Sequence, residues 1–191
     1  MNNFLEDLLW LPKAPEEFAL KLSSASSGNE LRELGKYSLD GNQLNRLYKK
    51  VNILKKNSVS LEPLIPLKIG LISNSTTKLT TPALVASALR FGILLEVIEA
   101  EYNQVAQEAF SEQSSFTGHQ LSAVLISLDY RGLPLIPTPG DKLSATKSVV
   151  DCLRYITNII DALRAKTGAQ IIFQNITANV EKISGSFENR L

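Results

Sequence analysis

Two hydrophobic rhythms divide the chain. Up to about residue 60 the apolar side chains recur at helical spacing. Phe4, Leu5, Leu8 and Leu9 give a short amphipathic pair of turns, and Pro15 suits the first position of a second segment with Phe18 and Leu22 facing inward. A short helix is expected around Leu31 and Leu34. A longer one carries Leu44, Leu47, Val51 and Leu54, spaced three, four and three residues apart on one stripe. Trp10 and Tyr48 are read as packing anchors. From Pro66 the pattern changes to short apolar runs alternating with helical stretches. Residues 67–73, 93–100, 123–129 and 169–176 read as strands. Between them, Thr81 with Pro82 predicts an N-cap and first helical position, and Gly92 predicts the end of that helix. Residues 103–112 predict another helix. Residues 141–168 predict a long one with Val149, Leu153, Ile156, Ile160 and Leu163 on its apolar stripe and Gly168 as its stop.

Buried strands alternating with helices imply right-handed crossovers and a mainly parallel sheet. The expected fold is α/β, a three-layer flavodoxin-like domain over 63–191, preceded by a helical extension over 1–62. In such sheets ligands gather at the carboxyl ends of the strands. Those ends are rich in polar residues, and they supply the candidate rim: Asn74, Ser75, Thr77, Tyr102, Asn103, Gln104, Asp129 and Arg131. Ser75 stands on a strand-to-helix connection where backbone N–H groups could stabilise an oxyanion. The same hydroxyl and amide side chains also cap such connections.

Composition narrows the chemistry. The 20 basic and 19 acidic residues nearly cancel, so no global field draws the chain to nucleic acid or an anionic membrane. One cysteine, Cys152, excludes an internal disulfide framework, and one histidine, His119, excludes a histidine-rich metal site. Both suit a reducing cytoplasm. No apolar run reaches the length of about 20 residues that crosses a bilayer, and the N-terminus lacks the basic leader of a secretory signal. His119 precedes the third strand, which puts it at the edge of the sheet opposite Ser75. Cys152 falls inside the long helix and is read as buried packing. Neither a G-x-x-x-x-G-K loop nor a G-x-G-x-x-G turn is present.

The run "LKIGLISNSTTKLTTPALVASALRFGILLEVIEAEYNQVAQEAF", followed by "AVLISLDYRGL", resembles the N-terminal region of FkbH-like proteins. The most distinctive piece is "EYNQVAQEAF", Glu101 to Phe110. The lead "LWLPKAPEEF" and "LDGNQLNRL", the strand "IIFQNI" and the tail "GSFENR" fit as well. The resemblance implies an SGNH-hydrolase-like domain placed before a phosphatase-type domain of the haloacid dehalogenase superfamily, which loads a glyceryl unit onto an acyl carrier protein. In the first SGNH block, Gly-Asp-Ser-x-Thr, Ser75 and Thr77 match, while Ser73 and Asn74 replace the Gly and Asp. The second block's glycine has no counterpart near Tyr102 and Asn103. The third block retains only Asp129, and the Asp-x-x-His block, which would follow a further strand, does not occur up to Leu191. The Asp-x-Asp-x-Thr signature of the phosphatase domain does not occur. The resemblance therefore implies binding and organisation by this segment within polyketide or related biosynthesis. It implies the carrier protein or a downstream phosphatase-type domain as partner, no cofactor in this chain, and magnesium only in that other domain. A serine hydrolase or acyltransferase using Ser75, and a non-catalytic docking domain of a synthase, are the alternatives.

Overall fold

The computed structural model describes residues 10–136, 138 and 140–176. The amphipathic turns expected at Phe4 to Leu9 and the "GSFENR" segment lie outside them. The order is α1 (Phe18–Ser24), α2 (Gly28–Gly35), α3 (Gly41–Lys56), β1 (Ile65–Ser73), α4 (Thr80–Ala88), β2 (Ile93–Glu99), α5 (Val105–Phe110), β3 (Ala123–Ser127), α6 (Lys142–Thr167) and β4 (Gln170–Phe173). Among these residues no helix is long and apolar enough to cross a membrane.

The chain packs as two compact units. One contains the described residues up to Lys68 together with Thr77–Val97. Its helices begin where side chains satisfy the loose N–H groups of the first turn. Ser27 and Glu30 form a reciprocal capping box on α2, and Asp40 and Gln43 do the same on α3. The predicted inward residues Phe18, Leu22, Leu31, Leu34, Leu47, Val51 and Leu54 are buried, and Ala86 and Leu89 join the same core. Gly28 lets α2 meet the chain after α3, since a Cβ there would fall 2.0 Å from the Leu61 carbonyl oxygen. Two expectations fail in this unit. Thr81 is not the N-cap: α4 starts at Thr80, two residues earlier than expected, with no side-chain cap from Leu79, and Thr81 is buried in its first turn. Trp10 is no buried anchor; it is 66% exposed, with the Arg90 guanidinium 5.7 Å over its ring. A cation on its face satisfies the ring without a core around it. Gly92 ends the segment as expected, at φ 74°.

The four strands form one sheet in the order β2-β1-β3-β4. Five consecutive residue pairs, Ile69 with Ala123 through Ser73 with Ser127, hold β1 parallel to β3, and four hold β3 parallel to β4. Ile65 N–H bonds to Gly92 and Ala100 N–H to Leu71, which makes β2 parallel to β1 as well. The fold is a three-layer α/β arrangement of the flavodoxin-like class, with an all-parallel sheet and helices on both sides. The direction of winding changes after β2, because the chain returns past β1 to place β3 on its other side.

The second unit contains Ile69–Thr76 and the described residues from Ile98 on. Its core joins Ile72, Val124 and Ile126 of the sheet to Val105 and Ala109 of α5, Phe116, and Cys152, Ile159 and Leu163 of α6. Gly70 makes room for Phe116, since a Cβ would lie 2.9 Å from its ring. Cys152 is buried as expected, and burial pushes its thiol pKa up. The stripe expected on α6 is displaced at its start: Val149 and Leu153 are 53% and 60% exposed, and Cys152 and Ile159 take the inward face. The helix is about 39 Å long and the five-residue β3 about 17 Å.

Candidate functional site

Beyond the paired ends of β1 and β3, where the winding reverses, the connecting loops leave a crevice. Three loops close it, all in the second unit. A cavity of about 540 Å³ is lined by Asn74, Ser75 and Thr76 after β1, Tyr102 and Asn103 after β2, and Asp129 and Arg131 after β3.

Hydrogen bonds hold these loops to one another. The Asn74 amide Nδ2 donates to Asp129 Oδ1 at 2.5 Å, and the Asp129 backbone N–H donates back to Asn74 Oδ1 at 3.0 Å. Asp129 Oδ1 also accepts from the Arg131 N–H at 2.9 Å, capping the 3-10 turn Tyr130–Gly132. The Asn74 hydrogen bond, with the Arg131 N–H and guanidinium behind it, holds the Asp129 carboxyl below the ordinary aspartate range. Gly132 backs the pair, since a Cβ there would sit 3.0 Å from Asn74 Cγ. The β2 loop is tied in by Asn103, whose N–H donates to the Ser73 carbonyl at 3.2 Å from a left-handed conformation, φ 57°. Ser73 is buried at the foot of the crevice, and its Oγ accepts the Ser75 N–H at 3.0 Å and meets the Ser75 hydroxyl at 3.0 Å.

Six of the eight residues proposed from the sequence line this cavity: Asn74, Ser75, Tyr102, Asn103, Asp129 and Arg131. Of the other two, Gln104 stands at the cap of α5 and Thr77 three residues ahead of α4. The Thr77 carbonyl accepts the Thr81 N–H at 2.9 Å, and the Gln104 carbonyl accepts the Glu108 N–H at 2.8 Å. Thr76 was passed over in the sequence, although its place between Ser75 and Thr77 in a strand-end hydroxyl cluster carried the signal. His119 lies four residues ahead of β3, at the amino edge, and Ser75 follows β1 at the carboxyl edge. The chain's one imidazole is therefore not Ser75's base.

The architecture has a solved counterpart. It is the N-terminal part of the protein BF1531 from Bacteroides fragilis, a crystal structure described as containing a phosphatase domain complexed with Mg. The two share 18% sequence identity with a TM-score of 0.54, over 87% of this chain and 38% of that one. At that identity the likeness is one of fold. This chain thus spans well under half of its neighbour's length. No family model and no curated protein matches the chain. The crevice does not fit the neighbour's magnesium, because Asp129 is the one carboxylate lining it and its Oδ1 already accepts two N–H groups.

Proposed function

We propose that this chain is the SGNH-like binding and organising part of an FkbH-like enzyme that loads a glyceryl or related acyl unit onto an acyl carrier protein. In this reading the phosphatase-type chemistry belongs to a companion domain. The observation that carries it is the crevice itself: three loops locked together by Asn74, Asp129 and Asn103 at the switch point, with Ser75 hydrogen-bonded to Ser73 and far from any imidazole. A serine nucleophile requires a base within hydrogen-bond reach, whereas a binding cleft requires donors and acceptors held in fixed positions. The family resemblance from "LKIGLISNSTTKL" to "SLDYRGL" supports the assignment, and so does a structural neighbour that contains a phosphatase domain.

The test uses the full-length protein with its carrier protein, following loading by intact mass of the carrier. Ser75→Ala should retain turnover, and Asn74→Ala should raise the KM for the charged carrier while kcat changes less. Loss of turnover in Ser75→Ala, with the protein still folded, would favour the serine-dependent hydrolase or acyltransferase instead.

A further inference from the structure

We propose that Arg32 and Arg90 form a binding site for a dianionic oxyanion of phosphate size, set where α2 meets the 3-10 turn Leu89–Phe91 that follows α4. Both side chains, together with Trp10 and Gly92, belong to the first unit.

Two glycines bring the arginines to one junction. Gly35 lets α2 close on the turn, since a Cβ there would lie 3.0 Å from the Arg90 backbone nitrogen. Gly92, two residues beyond Arg90, leaves room for Arg32, whose guanidinium carbon stands 3.7 Å from where a Cβ would be. Charge is the second ground. Acidic side chains of the unit are engaged elsewhere: Glu30 and Asp40 cap helices, Glu33 pairs with Lys36, and Glu96 with Lys55 and Lys68. Among the described residues no acid forms an ion pair with Arg32 or Arg90, and the Nε of each is buried without an acceptor. Arg90 leans on the Trp10 ring, 5.7 Å from its centre, and burial pulls its pKa below the ordinary arginine value. A guanidinium partly stripped of water and left without an anion is destabilising, and an arriving anion turns that cost into charge-assisted hydrogen bonds. Two such cations match two negative charges, and the planar fork of each fits the oxygens of a phosphate. A single carboxylate would leave half the charge uncompensated. Preorganisation is the third ground, since the Ser27–Glu30 box fixes the start of α2 and the indole ring backs Arg90 before a ligand arrives.

Trp10 is the chain's one tryptophan, so its fluorescence reports on Arg90 directly. The experiment titrates the full chain with inorganic phosphate at about pH 8, where a phosphate group carries nearly two charges. Sodium chloride holds the ionic strength constant, so that screening alone changes nothing. Phosphate should alter the fluorescence saturably and raise the melting temperature, as a ligand of the folded state does, while chloride does neither. Acetate, a monoanion, should bind roughly tenfold more weakly or worse, the equivalent of one lost hydrogen bond to a charged group. Arg32→Gln leaves the Trp10–Arg90 pair in place and should weaken phosphate by a similar factor. Arg32→Lys and Arg90→Lys keep the charge but lose the fork, and each should weaken phosphate while disturbing the fold least. Circular dichroism of every variant reports whether it is folded. Methyl phosphate binding as well as inorganic phosphate would assign the site to a phosphate ester, and a preference for inorganic phosphate would assign it to the free ion. A phosphate response no larger than that of chloride, acetate binding as tightly as phosphate, or folded Arg32 variants that bind phosphate unchanged would overturn the proposal.

Discussion

Asn74 is the side chain on which the crevice turns. It meets Asp129 through both its donor and its acceptor, so replacing it opens two hydrogen bonds at once. Asp129 is held below the ordinary aspartate value, chiefly by the Asn74 amide. A carboxylate with a depressed folded-state pKa stabilises the fold fully above its unfolded value, about 3.9, and that contribution fades as pH falls through the lower folded value. Asn74→Ala should therefore raise the Asp129 pKa toward the ordinary range, and should remove part of the loss of stability seen between about pH 4 and more acid conditions. A carboxyl NMR titration of both proteins checks it, and an unmoved Asp129 would mean that Asn74 is not what holds the charge. Gly132→Ala should act in the same direction, because its Cβ crowds Asn74 from behind. Both ends of this clasp were legible in the sequence as polar residues at strand ends. Their pairing was not, because 55 residues separate them and only the register of β1 on β3 brings them together.

The long helix α6 shows what element-scale reading captures and where it stops. Its period, its Asp141 start and its Gly168 stop follow from the sequence, and Gly168 takes the left-handed conformation that ends such helices. Which apolar residues face inward is set by packing, since Cys152 is buried beside the 60% exposed Leu153. Leu163, wholly buried, should cost about 2–5 kcal/mol on replacement by alanine, whereas Leu153→Ser on the exposed face should stay within about 0.5 kcal/mol of the parent. Chemical denaturation of the two variants separates them, and equal losses would place Leu153 in the core. The capping boxes of α2 and α3 carry their own signal in the sequence, Ser27-x-x-Glu30 and Asp40-x-x-Gln43. Removing the second with Asp40→Ala should cost about 1 kcal/mol, because the Gln43 N–H loses its 2.8 Å acceptor.

For the whole molecule, alternation of strands and helices foretold a parallel sheet but not its order. Charge alone did not mark the edges, since Glu96 on the edge strand β2 pairs at 2.9 Å with Lys68 on the interior strand β1. The continuous apolar run of β1 belongs beside the centre. What no local pattern states is that the chain returns past β1 after β2, and that return creates the crevice. Stability and site geometry consequently draw on different bonds within the second unit. The core is apolar contact along the inward face of α6, while the crevice is a set of hydrogen bonds between loops at the carboxyl edge. Leu163→Ala should therefore lower Tm by about 4–20 °C, from its loss of about 2–5 kcal/mol in a chain of this size. Below its new midpoint it should leave the Asp129 titration in place. Asn74→Ala should do the reverse, moving the titration with a small change in Tm. Melting curves and carboxyl titrations on both variants give four readouts. If each substitution moved both, the loops and the core would form one cooperative unit, and the crevice could not be tuned apart from the fold that carries it.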